Sequence, residues 1–358
     1  MKPGSEVPFL DGMDLGTGIN TLELMPRGIG VHDANRSPPA TRVPGGGGDI
    51  TIFQLQHPTF IEGFYSALDL SLDFSAAFRL FGGNATFKFA ENQKFNSFSQ
   101  FLIASVTVTK AFKEIPEPQL DPVGRDLLAN GDENRFLQEF GDMFVLGDRM
   151  GGLYYAVLEF TTTSKEDSEE LSQSLDAIDF GGSRRPDKFS QSLSNLKGIF
   201  SSRANQLQVF QSGASGQSLE TSIDGIINKA QNFASELGDN VVPISAVLRD
   251  YASLELPKPP NFTGVQAAAE VLLNYAVLRN EIVQKINDVE YIQLHPEQFI
   301  DAAKFDLRGM LQQLTQAMNQ LRNNASTCVG SVKDCKFVDV TLPNITLPSR
   351  VPGGPKMT

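Results

Sequence analysis

The sequence contains no run of about 18 consecutive apolar residues, which excludes a transmembrane helix. Histidine is scarce: His32, His57 and His295 stand apart from one another, so neither a zinc site of familiar spacing nor a Ser/His/Asp arrangement has support. Positive charge is outnumbered, with 30 Lys and Arg against 42 Asp and Glu, a net charge of -12 and a pI near 4.8. Nucleic-acid binding needs clustered cations to neutralise phosphates, and this chain concentrates them nowhere. The same deficit argues against simple electrostatic adhesion to anionic lipid. A membrane target would have to be reached through a receptor, protein or glycan, or by hydrophobic insertion. Only two cysteines are present, Cys328 and Cys335. A loop that short reads as one local disulfide more readily than as a metal site, with a reduced pair in a cytosolic protein as the alternative. The opening residues show no charged start followed by an apolar stretch, so no ordinary secretory signal is visible. No phosphate-cradling Gly-Lys-Ser/Thr occurs, and Gly16-Thr-Gly18-Ile-Asn20 lacks the third glycine of a dinucleotide loop. The paired acids Glu166, Asp167, Glu169 and Glu170 read as a solvated face rather than an acid/base pair. The expectation is therefore no enzyme, no cofactor and no metal.

What is present is a globular composition, 41% hydrophobic and 20% charged over 358 residues, enough for a sizeable core. Residues 1 to about 50 are rich in Gly and Pro and read as extended pieces and loops. From Thr51 to Phe112 the hydrophobic period is two, which predicts strands. A helical stretch, Asp121 to Phe140, precedes another strand-like block, Leu153 to Thr163. Residues 164 to 205 are polar, with Phe189, Leu193, Leu196 and Phe200 at helical spacing. Two apolar stripes, from Val265 to Val289 and from Leu307 to Leu321, predict core-packing helices. Pro257, Pro259 and Pro260 separate this part from what precedes it, giving an expected division into residues 1–256 and 257–358.

The most informative stretch is residues 68 to 95. Leu68, Leu70, Leu72, Phe74, Phe78 and Leu80 share one parity, while Asp69, Asp73 and Arg79 share the other. Gly82, Gly83 and Asn84 supply a turn, because these residues tolerate positive φ. The return alternates again, with Phe87 and Phe89 against Thr86 and Lys88. A membrane strand needs only about 9 to 11 residues, so the ribbon is long enough to span a bilayer with its charges toward water. Burying about seven large apolar side chains is worth on the order of 10 to 20 kcal/mol before entropy costs, against roughly 2 to 4 kcal/mol for each cation misplaced at mid-depth. The alternative is that this face simply packs on the core of an antiparallel sheet, and one protein can do both in turn.

Phe140-Gly141-Asp142-Met143-Phe144, about six further residues and then Gly151-Gly152 resemble the signature of the membrane attack complex/perforin family. The family pattern has Thr/Ser and His where Asp142 and Met143 stand. Segments 16–20, 68–90, 94–108 and 294–299 extend the resemblance over roughly residues 10 to 335, toward compact bacterial, fungal and plant members, some of them insecticidal. The resemblance implies an α+β fold: a bent, twisted four-stranded antiparallel sheet flanked by two helix/hairpin clusters, 66–98 and 165–206, with a C-terminal helical part. It implies a soluble pore-forming toxin or defence protein, released or ingested, that forms a homo-oligomer on a target cell membrane and inserts two hairpins per subunit into a β-barrel. A non-lytic binding or adhesion module on the same fold is the alternative. Gly151 and Gly152 read as a hinge, since residues without Cβ let a strand bend sharply, or as an ordinary β-bulge.

Overall fold

In a computed structural model the described residues are 5–43, 49–70, 76, 80–81, 83–178, 181–203, 205–214, 222–256 and 259–353. The strands, in chain order, are β1 (Ser5–Pro8), β2 (Thr17–Asn20), β3 (Met25–Ile29), β4 (Val31–Asp33), β5 (Ala40–Arg42), β6 (Ile50–Gln56), β7 (Ser99–Glu114), β8 (Pro118–Leu120), β9 (Met143–Thr161), β10 (Gly181–Ser183), β11 (Asn205–Ser212) and β12 (Val242–Asp250). The helices are α1 (Ile61–Ala67), α2 (Ala85–Asn92), α3 (Pro122–Ala129), α4 (Glu133–Phe140), α5 (Lys165–Asp176), α6 (Pro186–Asn195), α7 (Lys197–Ser202), α8 (Ile223–Leu237), α9 (Thr263–Leu294) and α10 (Leu307–Gly330).

Four long antiparallel positions form the frame. β6 pairs with β7, and β7 with β9 along nearly its whole length. The far side of β9 is shared, because β12 pairs with its first half and β11 with its second. The fold is thus the expected α+β type, a large antiparallel sheet with helices and a helical C-terminal region. The shorter strands extend it: β1 on β12, β5 on β7, β2 on β3 and β9, and β10 on β6.

β7 and β9 are apolar on both faces, and alternate residues enter different cores. Phe101, Ile103, Tyr155 and Val157 face a core completed by Phe64, Leu68, Leu70 and Phe87. Leu102, Ala104, Tyr154, Ala156, Leu158 and Phe160 face a second core completed by Leu171, Leu175, Phe189, Leu193 and α8. α9 and α10 build a third core around Leu272, Ala276, Leu314 and Leu321, which Leu22, Leu80 and Val340 also enter, and the structure joins Cys328 to Cys335 at its end. The C-terminal tail returns to the sheet: Arg350 donates to the Thr162 hydroxyl at 2.8 Å and the Phe98 carbonyl at 3.2 Å.

The alternation between Thr51 and Phe112 yields strands only at its ends. Between them the chain is helical at α1 and α2, and Asn84, expected in a hairpin turn, instead caps α2 by accepting the Phe87 amide at 2.9 Å. Local period gives way here to burial, since α1 and α2 place Phe64, Tyr65 and Phe87 on the sheet. The helix expected over 121–140 is two helices, broken at Gly131, whose φ is +74°.

Phe136 is fully enclosed against Phe140, Tyr251 and Phe262. Phe136→Ala should cost about 3 to 5 kcal/mol, read as a shifted midpoint in denaturant unfolding.

Candidate functional site

Irregularities in strand pairing fall at one level across the sheet. β7 carries an extra residue between Thr109 and Ala111, opposite Gly151 and Met150, and β12 carries one between Pro243 and Ser245. Such bulges bend a strand and increase its twist. At the same level β9 passes from β12 to β11, and the two halves of its partner are separated by α8. Gly151 and Gly152 sit at this crossing. A Cβ on Gly151 would stand 1.8 Å from the Val108 carbonyl oxygen, and one on Gly152 would stand 2.9 Å from Leu237 Cδ1 and 3.2 Å from Phe233 Cζ, both on α8. Gly213, at φ +77°, approaches the same point, its Cβ position 2.8 Å from Leu237 Cδ1. Gly152 and Gly213 therefore let the last turns of α8 lie directly on the backbone here, while Gly151 lets β9 approach the Val108 carbonyl of β7. Neither Gly213 nor α8 was singled out in the sequence, although Ile223, Ile226, Ile227, Ala230, Phe233 and Leu237 of α8 recur at helical spacing.

The other half of the signature does separate work. Gly141 (φ +71°) ends α4, and a Cβ there would meet the Ile19 carbonyl oxygen at 2.1 Å. Asp142 is buried and accepts the Thr21 amide at 2.7 Å and the Thr21 hydroxyl at 2.6 Å. Burial pushes its pKa up, against the hydrogen bonds from Thr21. Phe144 packs on Tyr251, whose hydroxyl donates to the Phe140 carbonyl at 2.9 Å. These residues pin the segment Gly16–Asn20 to β9 and stand apart from the bend.

The two clusters lie on opposite faces of the sheet. Of the residues expected to form a lipid-facing ribbon, Leu68, Leu70 and Phe87 are buried on one face, Phe89 is half-buried against Phe210, and Leu80 packs among α9 and α10. Leu72, Phe74 and Phe78 lie outside the described residues. Lys88, on the polar parity, is exposed. The second cluster, α5 to α7, covers the other face through Leu171, Leu175, Phe189 and Leu193.

One side of α9 holds the first cluster by polar contacts. Arg279, 2% exposed, donates to Glu91 at 2.7 Å and lies over the Phe87 ring, while the Tyr65 hydroxyl donates to the same carboxylate. Asn280 donates to Glu62 at 3.0 Å, Asn287 to the Phe95 carbonyl at 2.9 Å, and Ser97 donates twice to Asp288, at 2.7 and 2.9 Å. A buried pair of this kind is costly to break by halves, because the remaining charge is left without compensation. The second cluster is tied at His57, whose ring nitrogens meet Asp176 at 2.6 Å and Gln100 at 2.8 Å.

Several carboxyls along the sheet are held above their usual range. Burial raises Asp69, which accepts the Tyr155 hydroxyl at 2.8 Å, and burial also raises Glu159 and Asp288. Asp148 on β9 is pushed up to about 7 by burial and by neighbouring Asp14, against Lys113. Among the described residues no group of three His, Cys, Asp or Glu could hold a metal, and no helix is long and apolar enough to cross a membrane.

No family model matches the chain, and no curated protein matches it in sequence. Solved structures do. Stonustoxin superposes with a TM-score of 0.50 at 10% identity, covering 92% of this chain and 43% of that one. GNIP1Aa from Chromobacterium piscinae gives 0.43 at 13% identity, covering 77% and 56%. A MAC/Perforin-domain protein from Bacteroides thetaiotaomicron gives 0.38 at 11% identity, covering 76% and 62%. The chain thus spans about half the length of the solved structures it matches. Its fold is membrane attack complex/perforin-like.

Gly151→Ala should lower stability by about 3 kcal/mol or shift the β7–β9 register, since the Val108 carbonyl stands in the way, whereas Gly152→Ala should cost about 1 to 2 kcal/mol, because its nearest neighbour is the end of the Leu237 side chain and the Ser212 carbonyl oxygen, at 3.1 Å, need shift only slightly. Thermal unfolding of the two variants separates these. The raised pKa of Asp148 means that the folded state binds its proton more tightly than the unfolded one. Its contribution to stability is present below about pH 4 and is lost as pH rises through about 7. The melting temperature should therefore fall between pH 5 and 8, and Asp148→Asn should reduce that fall by a few degrees, on the order of a small ΔΔG.

Proposed function

We propose that the chain is a pore-forming toxin or defence protein that assembles on a target membrane and converts its two clusters into membrane-spanning hairpins. The observation that carries this reading is topological. Residues 57–98 join β6 to β7, and residues 162–204 join β9 to β11, both of them antiparallel pairs already in register at Gln56↔Ile103 and Asn205↔Phe160. Each cluster can therefore be drawn out as a continuation of a ladder that exists, and no strand has to be newly aligned. The first cluster supports this further, because residues with a two-residue period are held at α1 and α2 as helix. A segment patterned for one secondary structure and stored in another is a natural switch.

Release requires α9 to let go of Glu62, Glu91, Phe95 and Ser97, so the C-terminal helices act as a brace on the first cluster. The glycine crossing beneath α8 is the place where the sheet would change its bend. The insecticidal setting rests on the family resemblance alone. The oligomer would be heterologous, one edge of the four-position sheet against the opposite edge of the next copy, with a protein or glycan receptor guiding arrival. An enzyme has no support from converging catalytic groups among the described residues.

Glu91→Cys and Arg279→Cys, joined by a short bis-maleimide, should fasten α2 to α9. Release of dye from vesicles made of insect midgut membrane should fall at least about ten-fold relative to the uncoupled double variant. Equal release from both forms would sink the proposal for the first cluster. Membrane binding without leakage in the wild-type chain would favour the non-lytic adhesion module instead.

A further inference from the structure

We propose that the cleft where α1, α2, α9 and α10 meet is a binding site for a phosphate-type oxyanion, held by Arg279, Lys94 and Arg322. The site itself stands apart from the pore-forming reading above, and only its consequence for the first cluster rests on that reading.

The cleft has a volume of about 250 Å³, far more than a single water needs. Tyr65 of α1 and Glu91 of α2 line it, with Lys94 just beyond the end of α2. α9 contributes Arg279, and α10 contributes Asn319 and Arg322, three residues apart on one helix face. Phe64 and Arg279 form the floor, 1% and 2% exposed, whereas Lys94, Asn319 and Arg322 are exposed at the mouth. Three segments thus bring one cation each to a single cleft, in a chain whose net charge is -12.

Donors outnumber acceptors in this wall. Among the described residues Glu91 is its one carboxylate, and both oxygens are taken: one accepts Arg279 Nη2 at 2.7 Å and the other accepts the Tyr65 hydroxyl. Arg279 Nε and Nη1 have no hydrogen-bond partner among the described residues. Lys94 spends one of its three donors on Glu290, at 3.1 Å and outside the wall, and among the described residues Arg322 forms no ion pair. A buried guanidinium N–H without an acceptor is costly, and the only acid at hand is saturated, so the missing acceptor has to come from outside. A tetrahedral oxyanion fits, because its oxygens accept from several directions at once and guanidinium groups suit it. Lys94 also has a φ of +52°, a left-handed backbone disfavoured for a residue with a Cβ and found more often at ligand clamps than elsewhere. An anion held here would join the end of α2 to α9 and α10 beside the Glu91–Arg279 pair. Its occupancy would strengthen the hold on the first cluster.

Thermal unfolding of the full chain in inorganic phosphate, set against sodium chloride of equal ionic strength, reads the site without membrane. The melting temperature should rise with phosphate concentration, as mass action requires of a ligand that binds the folded chain. In calorimetric titration Lys94→Gln/Arg322→Gln should bind phosphate at least about ten-fold more weakly, and both side chains are exposed enough to be replaced without disturbing the core. Arg279→Met/Glu91→Gln, which removes the floor charge without stranding its partner, should abolish binding, and the double variant at the mouth decides if this one does not fold. Flotation with phosphatidylcholine vesicles, with and without phosphatidic acid, assigns the source. Capture by phosphatidic acid that needs Lys94 and Arg322 makes the ligand a lipid phosphate, and phosphate protection without such capture makes it a soluble one. The proposal is overturned if phosphate protects no better than chloride and phosphatidic acid captures no chain, or if either effect is the same in Lys94→Gln/Arg322→Gln. Dye release from midgut vesicles should fall as phosphate rises for the wild type and stay level for that variant. Wild-type chain that never permeabilises the vesicles sinks the pore reading, while the melting shift is read on its own.

Discussion

The fold depends on two long strands that are apolar on both sides. β7 and β9 pair over most of their length, and successive side chains enter separate cores on opposite faces. A sheet of that kind needs a cover on each face, since either one left open would present a continuous apolar surface to water. The covers it has are the two connections between its own neighbouring strands. They are bound by sequence to the places where they could extend the sheet, and bound by the hydrophobic effect to its faces. Removing a cover is costly unless the cover and the face find another apolar environment together.

The restraints on the two covers differ in chemistry. The first is gripped by α9 through the Arg279–Glu91–Tyr65 group and a row of side-chain to backbone hydrogen bonds, so its release is an all-or-none loss of buried polar partners. The second is held mostly by apolar contacts of α5 to α7 with β6, β7 and β9, with polar ties at His57–Asp176 and Asp167–Arg203. The raised carboxyls, Asp69, Asp148, Glu159 and Asp288, all take up protons more readily in this fold than unfolded. Acid therefore favours the folded arrangement at these four sites.

The glycines of the family-like signature divide into two groups with different duties. Gly141, with Gly16 and Gly18, permits backbone to touch backbone where the N-terminal segment meets β9. Gly152 and Gly213 permit α8 to rest on the backbone at the bulges, and Gly151 permits β9 to approach the Val108 carbonyl of β7. Asp142 shows how the departure from the usual signature is accommodated, because its carboxylate reaches the Thr21 amide and hydroxyl together.

Much of the architecture was legible in the residues. The period of two marked β6 and β7 and a strand-like block marked the second half of β9, the helical stripes marked α6, α9 and α10, and the glycine pair with its aromatic cluster pointed to the fold. These signals are local, since strand and helix periods are set by which side of the backbone each residue faces. The alternation from Leu68 to Phe89 was equally legible and led to strands, whereas its return from Ala85 to Phe89 lies in α2. The choice between them is not local: it is settled by the sheet face beneath and by Arg279, which lies about 190 residues away in sequence from Glu91. The pairing of β10 with β6, the α8 contact with Gly213 and the polar contacts of α9 with the first cluster were likewise decided only by the tertiary structure. Each joins distant segments through a close approach that no periodicity within one segment encodes, whereas the two-faced strands and their apolar partners were written in the sequence itself.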